Sequence, residues 1–186
     1  GFSGATPLGQ IAVAAKDHFQ GIVDTLGHPL SSMDLFVGLI PGSIGETSKI
    51  AILIGAIILL ITGIASWRTM ISVFVGGAAM SCIFNLIGTT VSMQTGVLDQ
   101  LLLGGFCFGA VFMATDPVTS ARTEKGKFIY GLLVGAFAII IRVLNPGYPE
   151  GMMLAILLMN VFAPLIDYYV VESNINKRLS RAKINK

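Results

Sequence analysis

Charged side chains are scarce in this chain. Asp, Glu, Lys and Arg make up 12% of its 186 residues, against 54% hydrophobic, where a soluble globular domain carries roughly 25% charge. So little charge cannot coat a water-facing surface, which excludes an ordinary soluble domain. A net charge of +2 is too small to argue for a nucleic-acid partner. Cysteine is nearly absent as well. Cys82 and Cys107 lie in apolar runs, with no Cys-x-x-Cys and no Cys/His cluster. No metal or iron–sulfur site is visible from that pattern, and the two thiols read as small hydrophobic packing. His18 and His28 fall in a polar first segment and read as solvated. There is no Ser/His/Asp arrangement, no phosphate-binding loop, no dinucleotide fingerprint and no set of facing carboxylates, so no self-contained active site is visible. Gly1-Phe2-Ser3-Gly4 has neither the basic start nor the apolar core of a secretory signal. It also lacks an initiating Met, and we expect a part of a longer protein.

Long apolar runs are what the chain does have. A membrane-spanning helix needs about 20 mostly apolar residues, and residues 48–67, 69–86, 128–144 and 151–171 meet that requirement. A Gly-rich run, 98–115, stops at Asp116-Pro117 and reads either as a full span or as a broken helix. Residues 33–40 stop at Pro41-Gly42, too short to span, and read as re-entrant. Irregular backbone at membrane depth survives where protein or a watery cavity covers it. The expected fold is therefore an all-α membrane bundle with broken or re-entrant helices. It divides into a first segment (1–47), a bundle of about five helices (48–171) and a basic tail (172–186).

Local signals mark helix starts and packing faces. Ser43-Ile44-Gly45-Glu46 fits a capping box. Free N–H groups at such a start suit an anion, for instance a flavin phosphate. Asp116-Pro117 fits an N-cap followed by proline at the first helical position, and the break before it offers hard oxygen ligands suited to Na⁺. Gly76-Gly77-Ala78-Ala79, Gly104-Gly105 and Gly109 are small-residue patches that let helices approach closely in lipid. Asp167 is an acid in an apolar span, a functional candidate by its burial cost, with Tyr168 and Tyr169 beside it suiting an interfacial belt. Ser3-Gly4-Ala5-Thr6 is a small, accessible stretch whose threonine hydroxyl is open to modification.

Positive charge orients the bundle. Arg68, then Arg122, Lys125 and Lys127, then Lys177, Arg178, Arg181, Lys183 and Lys186 all fall on one side when five crossings are counted. By the excess of Lys and Arg in cytoplasmic loops that side is cytoplasmic and Thr6 lies outside. The outer side then holds Lys16, Lys49 and Arg142, the last of which is expected to snorkel from a helix end.

In order and spacing, these stretches resemble the family that contains the B subunit of the sodium-pumping NADH:quinone oxidoreductase and, as a relative, the D subunit of the RNF complex. Gly1-Phe2-Ser3-Gly4-Ala5-Thr6, Gly42 through Ser48, Phe112 through Ser120, Tyr148-Pro149-Glu150-Gly151 and the run from Asn160 through Pro164 to Asp167 carry the resemblance. It covers essentially the whole chain, as the C-terminal half of such a protein. It implies a urea-channel-like helical bundle in the bacterial inner membrane. Thr6 would carry FMN in a phosphoester bond made from FAD by a flavin transferase, with Ser3, Gly4 and Ala5 as the rest of the acceptor motif. The motif's usual Asp before Gly-Phe falls ahead of Gly1. The resemblance also implies Na⁺ export coupled to electron flow from NADH to quinone, with Asp116 and Asp167 in the ion path and other subunits of the complex as partners. Quinone and a further riboflavin are implied before Gly1. The ending Asp-Tyr-Tyr-Val-Val-Glu is closer to the sodium pump's B subunit than to the RNF D subunit. A channel or transporter without redox work, and a structural scaffold, are the other readings the residues leave open.

Overall fold

The fold is taken from a computed structural model that describes residues 6–13, 22–23, 28–43, 45–145 and 147–184. Among the described residues it is helical with no strand, apart from one isolated bridge between Val23 and Pro29. The helices are α1 (Pro7–Val13), α2 (Ser32–Val37), α3 (Lys49–Ile61), α4 (Trp67–Ile87), α5 (Val91–Gln94), α6 (Val97–Leu102), α7 (Phe106–Phe108, running into a π-helical turn Gly109–Met113), α8 (Glu124–Leu144) and α9 (Gly151–Ile184). Three of them, α4, α8 and the Gly151–Arg181 part of α9, are long and apolar enough to cross a membrane. The chain is an all-α, multi-pass membrane protein.

The core forms where α8 packs between α4 and α9. Glycine sets the α4–α8 distance. A Cβ at Gly76 would fall on the Leu132 carbonyl, one at Gly135 on the Val73 carbonyl, and one at Gly131 on the Ser72 hydroxyl. Close backbone approach through small residues is how helices associate in lipid, where no hydrophobic force separates them from solvent. The Ser72 hydroxyl donates across the pair to the Lys127 carbonyl at 3.3 Å. Gly131 and Gly135 are spaced as Gly-x-x-x-Gly, a signal the small-residue patches of α4 needed as their counterpart. Gly135→Leu should force the helices apart and cost about 3 kcal/mol. Unfolding of the detergent-solubilised full-length protein measures this, and wild-type stability in the variant would refute the packing account.

These contacts fix the direction of each element. α4 and α8 start together, with an ion pair between Arg68 and Glu124 and an edge-on ring contact between Trp67 and Phe128. α9 runs back against α8: the Tyr130 hydroxyl donates to Asn160 Oδ1 at 2.6 Å, and Gly151 meets the backbone of Ala138 and Arg142. One end of the bundle therefore holds Arg68, the 114–123 loop and the end of α9. The other holds α1, whose Leu8 and Ile11 are buried against Leu35, Val91 and Leu103.

Several expected elements differ. The run 48–67 is helical only over Lys49–Ile61, 13 residues or about 20 Å, short of the ~30 Å hydrocarbon core; Gly63, at φ 70°, ends it. The capping box at Ser43 does not start a helix. Its Glu46 carboxylate does accept from the Ser43 N–H at 2.8 Å, but closes a turn, and Ser48 caps α3 instead, accepting from the Ala51 N–H. The Ser43 N–H that an anion would use is thus taken by the Glu46 carboxylate. A capping box forms at Ser31 and Asp34, where α2 begins. The run 98–115 takes the broken form. The last helix continues past Val171 to Ile184, carrying Pro164 within it.

Candidate functional site: a broken helix between Thr6 and Asp116

Thr6 stands at the start of α1, exposed, with its Oγ1 accepting the Gly9 N–H at 3.2 Å. Buried Leu8 and Ile11 tie this short helix to Leu103. The hydroxyl is thus presented on a fixed support and stays open to an enzyme that would esterify it. That fits a covalent phosphoester. Ser3, Gly4 and Ala5 lie outside the described residues. Thr6 and the Arg68 end are at opposite ends of the bundle.

Beneath α1 lies the break. α6 ends at Leu102, and α7 restarts at Phe106. Gly104 adopts φ 61°, a left-handed conformation that glycine reaches without a Cβ clash. A Cβ there would also fall on the Glu150 carboxylate. A broken helix leaves carbonyls free at one end and N–H groups at the other. Arg142 donates to the carbonyls of Gln100 and, at 3.1 Å, Leu103. The Glu150 carboxylate accepts the Gly105 N–H at 3.2 Å. Arg142 is 3% exposed, so it does not snorkel. Burial wins because those carbonyls offer it partners that lipid does not. Sequence reasoning missed this role. The available signal was Gly104-Gly105 inside an apolar run, which marks loose helix ends needing partners, with Arg142 and Glu150 bracketing the loop at that same end.

On the far side of the half-helix, the chain turns at Asp116. The Ala114 N–H reaches the Gly109 carbonyl at 2.7 Å, widening the helix by one residue. Such π turns are frequent at functional sites. Asp116 caps a single turn, not a helix. Its carboxylate accepts the Thr119 hydroxyl at 2.6 Å, the Thr119 N–H at 3.1 Å and the Val118 N–H at 3.3 Å. α8 begins only at Glu124, capped by Thr123, because the turn closes on itself through Ser120, whose hydroxyl donates to the Asp116 carbonyl. The Thr119 hydroxyl foremost, with the Val118 and Thr119 N–H groups, holds the Asp116 carboxyl below its ordinary 3.8. A lowered native pKa means that the turn's stabilisation is full above about 3.8 and is lost as pH falls through the native value.

Asp116 opens onto a cavity of about 410 Å³ that also takes in Thr115, Thr119, Phe112, Ile156 and Asn160. Pro164 has no N–H, so the Asn160 carbonyl lacks its usual helical donor. Asp116, Thr115, Thr119 and Asn160 bring polar groups to an otherwise apolar wall. Asp167 is not in this cavity. Its carboxylate accepts the Arg122 N–H at 2.7 Å, the Thr123 N–H at 3.0 Å and the Thr123 hydroxyl at 2.6 Å. It pins the loop that carries Asp116 to the start of α8. Among the described residues, no group of three or more His, Cys, Asp or Glu is placed to hold a metal.

Fold and site together define a helical membrane protein built around a broken helix whose ends are matched by opposite charges. Residues 1–176 match the NQR2, RnfD, RnfE family, and the chain belongs to that family. It is 51% identical over 183 residues to the B subunit of the Na(+)-translocating NADH-quinone reductase of Klebsiella pneumoniae (strain 342), covering 97% of this chain and 44% of that one. It is 50% identical to the protein of the same name from Pseudomonas paraeruginosa (strain DSM 24068 / PA7), with the same coverage. The corresponding protein of Yersinia pestis, again of that name, is 50% identical over 186 residues, 98% of this chain and 44% of that one. The chain thus spans less than half the length of these curated relatives.

Proposed function

We propose that this chain is part of the B subunit of a bacterial Na⁺-translocating NADH:quinone oxidoreductase, that it carries FMN on Thr6, and that it contributes to the Na⁺ path. The carrying observation is the placement of two features on one broken helix. Thr6 is anchored through α1 onto Leu103 at one end of the break, and the Asp116 oxygens lie beyond the half-helix at the other. The relatives' name favours this reading over the RNF D subunit and over a transporter without redox work.

A flavin on Thr6 would take up and pass on electrons one or two at a time. The protein's part is to present that hydroxyl, hold α1 in place and keep the ion path separate. Arg68, Arg122, Lys125, Lys127, Lys177, Arg178 and Arg181 gather at the other end of the bundle from Thr6, which the charge rule for cytoplasmic loops assigns to the inside. Thr6 then faces outward in the inner membrane, and the Asp116 cavity opens toward the side from which Na⁺ is taken. Quinone, the flavin transferase and the remaining subunits are the partners of this reading.

The test uses the full-length protein coexpressed with its flavin transferase. The peptide containing Thr6 should gain the mass of FMN less one water. A fully unmodified peptide from an active complex would overturn the flavin assignment.

A further inference from the structure

The break holds a buried charge that the electron- and ion-carrying roles above do not use. In broken membrane helices the freed carbonyls of one half coordinate cations. Here the Gln100 and Leu103 carbonyls are already taken by the Arg142 guanidinium. Arg142 Nε has no hydrogen-bond partner, so the guanidinium is not held by a complete set of acceptors. The carboxylates acting on it are Glu150 and Glu46, and Lys49, itself 4% exposed, is the second cation of the group. Burying a guanidinium is costly even when it is paired, and a neutral donor could satisfy the same carbonyls without burying a charge. The position of Arg142 suggests what offsets that cost. Without it, the Gln100 and Leu103 carbonyls and the Glu150 carboxylate would leave a cluster of oxygens at the break attractive to cations. Only the eight residues from Phe106 to Met113, about 12 Å of helix, separate it from the Asp116 cavity.

We propose that Arg142 is a plug, a resident cation that fills the break and blocks passive cation flow across the bundle between turnovers. A cation reaching the break from either side would meet a fixed like charge, the device by which an arginine excludes cations from a pore. The Gln100 and Leu103 carbonyls seat the plug, and Glu150 holds the other side of the break through the Gly105 N–H. The proposal rests on the cation-transport reading given above.

The full complex reconstituted in proteoliposomes tests it, with ²²Na⁺ uptake driven by an imposed potential and no NADH. Arg142→Gln, which keeps a donor for the carbonyls and loses the charge, should raise passive Na⁺ uptake roughly tenfold or more, the factor that about 1.4 kcal/mol gives. Arg142→Lys should stay tight, and chloride permeation should not change in either. If Arg142→Gln does not assemble, Arg142→Met is read in its place. An assembled neutral variant as tight as wild type overturns the plug. So does equal leakage in Arg142→Lys, or leakage of chloride alongside Na⁺, since either marks a packing defect. Absence of NADH-driven Na⁺ uptake by the wild-type complex would instead refute the cation-transport reading itself.

Discussion

Thr6→Val in the full-length protein, made with its flavin transferase, should leave the denatured polypeptide without flavin fluorescence, while Thr6→Ser keeps it. Valine matches threonine in shape and differs by the hydroxyl, so it removes the oxygen to be esterified and little else. The variant should still fold. Thr6 is exposed and caps a helix of seven residues. Loss of such a cap costs about 1 kcal/mol, small against the packing of α4, α8 and α9. Electron transfer from NADH to quinone should fall to background with the complex assembled. Serine offers the same oxygen on a smaller side chain. Flavin remaining on Thr6→Val after denaturation would move the attachment elsewhere and remove Thr6 from the mechanism. Loss of flavin from both variants together with loss of the polypeptide would point to a folding role.

Asp167→Asn and Asp116→Asn should separate in a second experiment. On the proposed ion role both raise the Na⁺ concentration needed for half-maximal turnover, because a carboxylate lends charge to a hard-cation site and an amide does not. They act differently. Asp167 already accepts three hydrogen bonds from Arg122 and Thr123, so it is a positioning residue that holds the Asp116 loop. An amide would place its NH₂ against an N–H donor, and the loss should be about 1.5–3 kcal/mol, the range for hydrogen bonds to a charged group. Asp116 also accepts three hydrogen bonds, but all within its own partly exposed turn, so its loss should cost less in unfolding than that of Asp167 and should show mainly in the Na⁺ requirement. Thr123→Val should reproduce much of the Asp167 stability loss. Equal stability in all three variants would contradict this division, and an unchanged Na⁺ requirement in both aspartate variants would remove them from the path.

The differences between sequence and structure have a common cause. Arg142 read as a snorkelling residue because it stands near the end of an apolar run. The partners that bury it lie 39 and 42 positions away, and no local pattern points to them. Asp167 read as a functional candidate because an isolated acid in a greasy helix has no visible partner in sequence. Its partners, Arg122 and Thr123, come from the loop before α8. The Ser43–Glu46 and Asp116–Pro117 signals were locally correct in part: Glu46 accepts the Ser43 N–H, and Asp116 accepts the Val118 and Thr119 N–H groups. Neither propagates, because a cap satisfies one turn and tertiary packing decides whether the next turn follows.

Composition alone fixed the medium. Too little charge for water and apolar runs of spanning length require lipid, and in lipid the backbone must satisfy itself, so the answer is helices. The basic residues, falling in alternate connections, also put Arg68, the 122–127 loop and the basic tail at one end. Which run stays whole and which breaks was settled by packing in three dimensions. A break is tolerated where distant charges reach its loose ends, and that depends on α8 bringing Arg142, and the loop before α9 bringing Glu150, to Leu103 and Gly105.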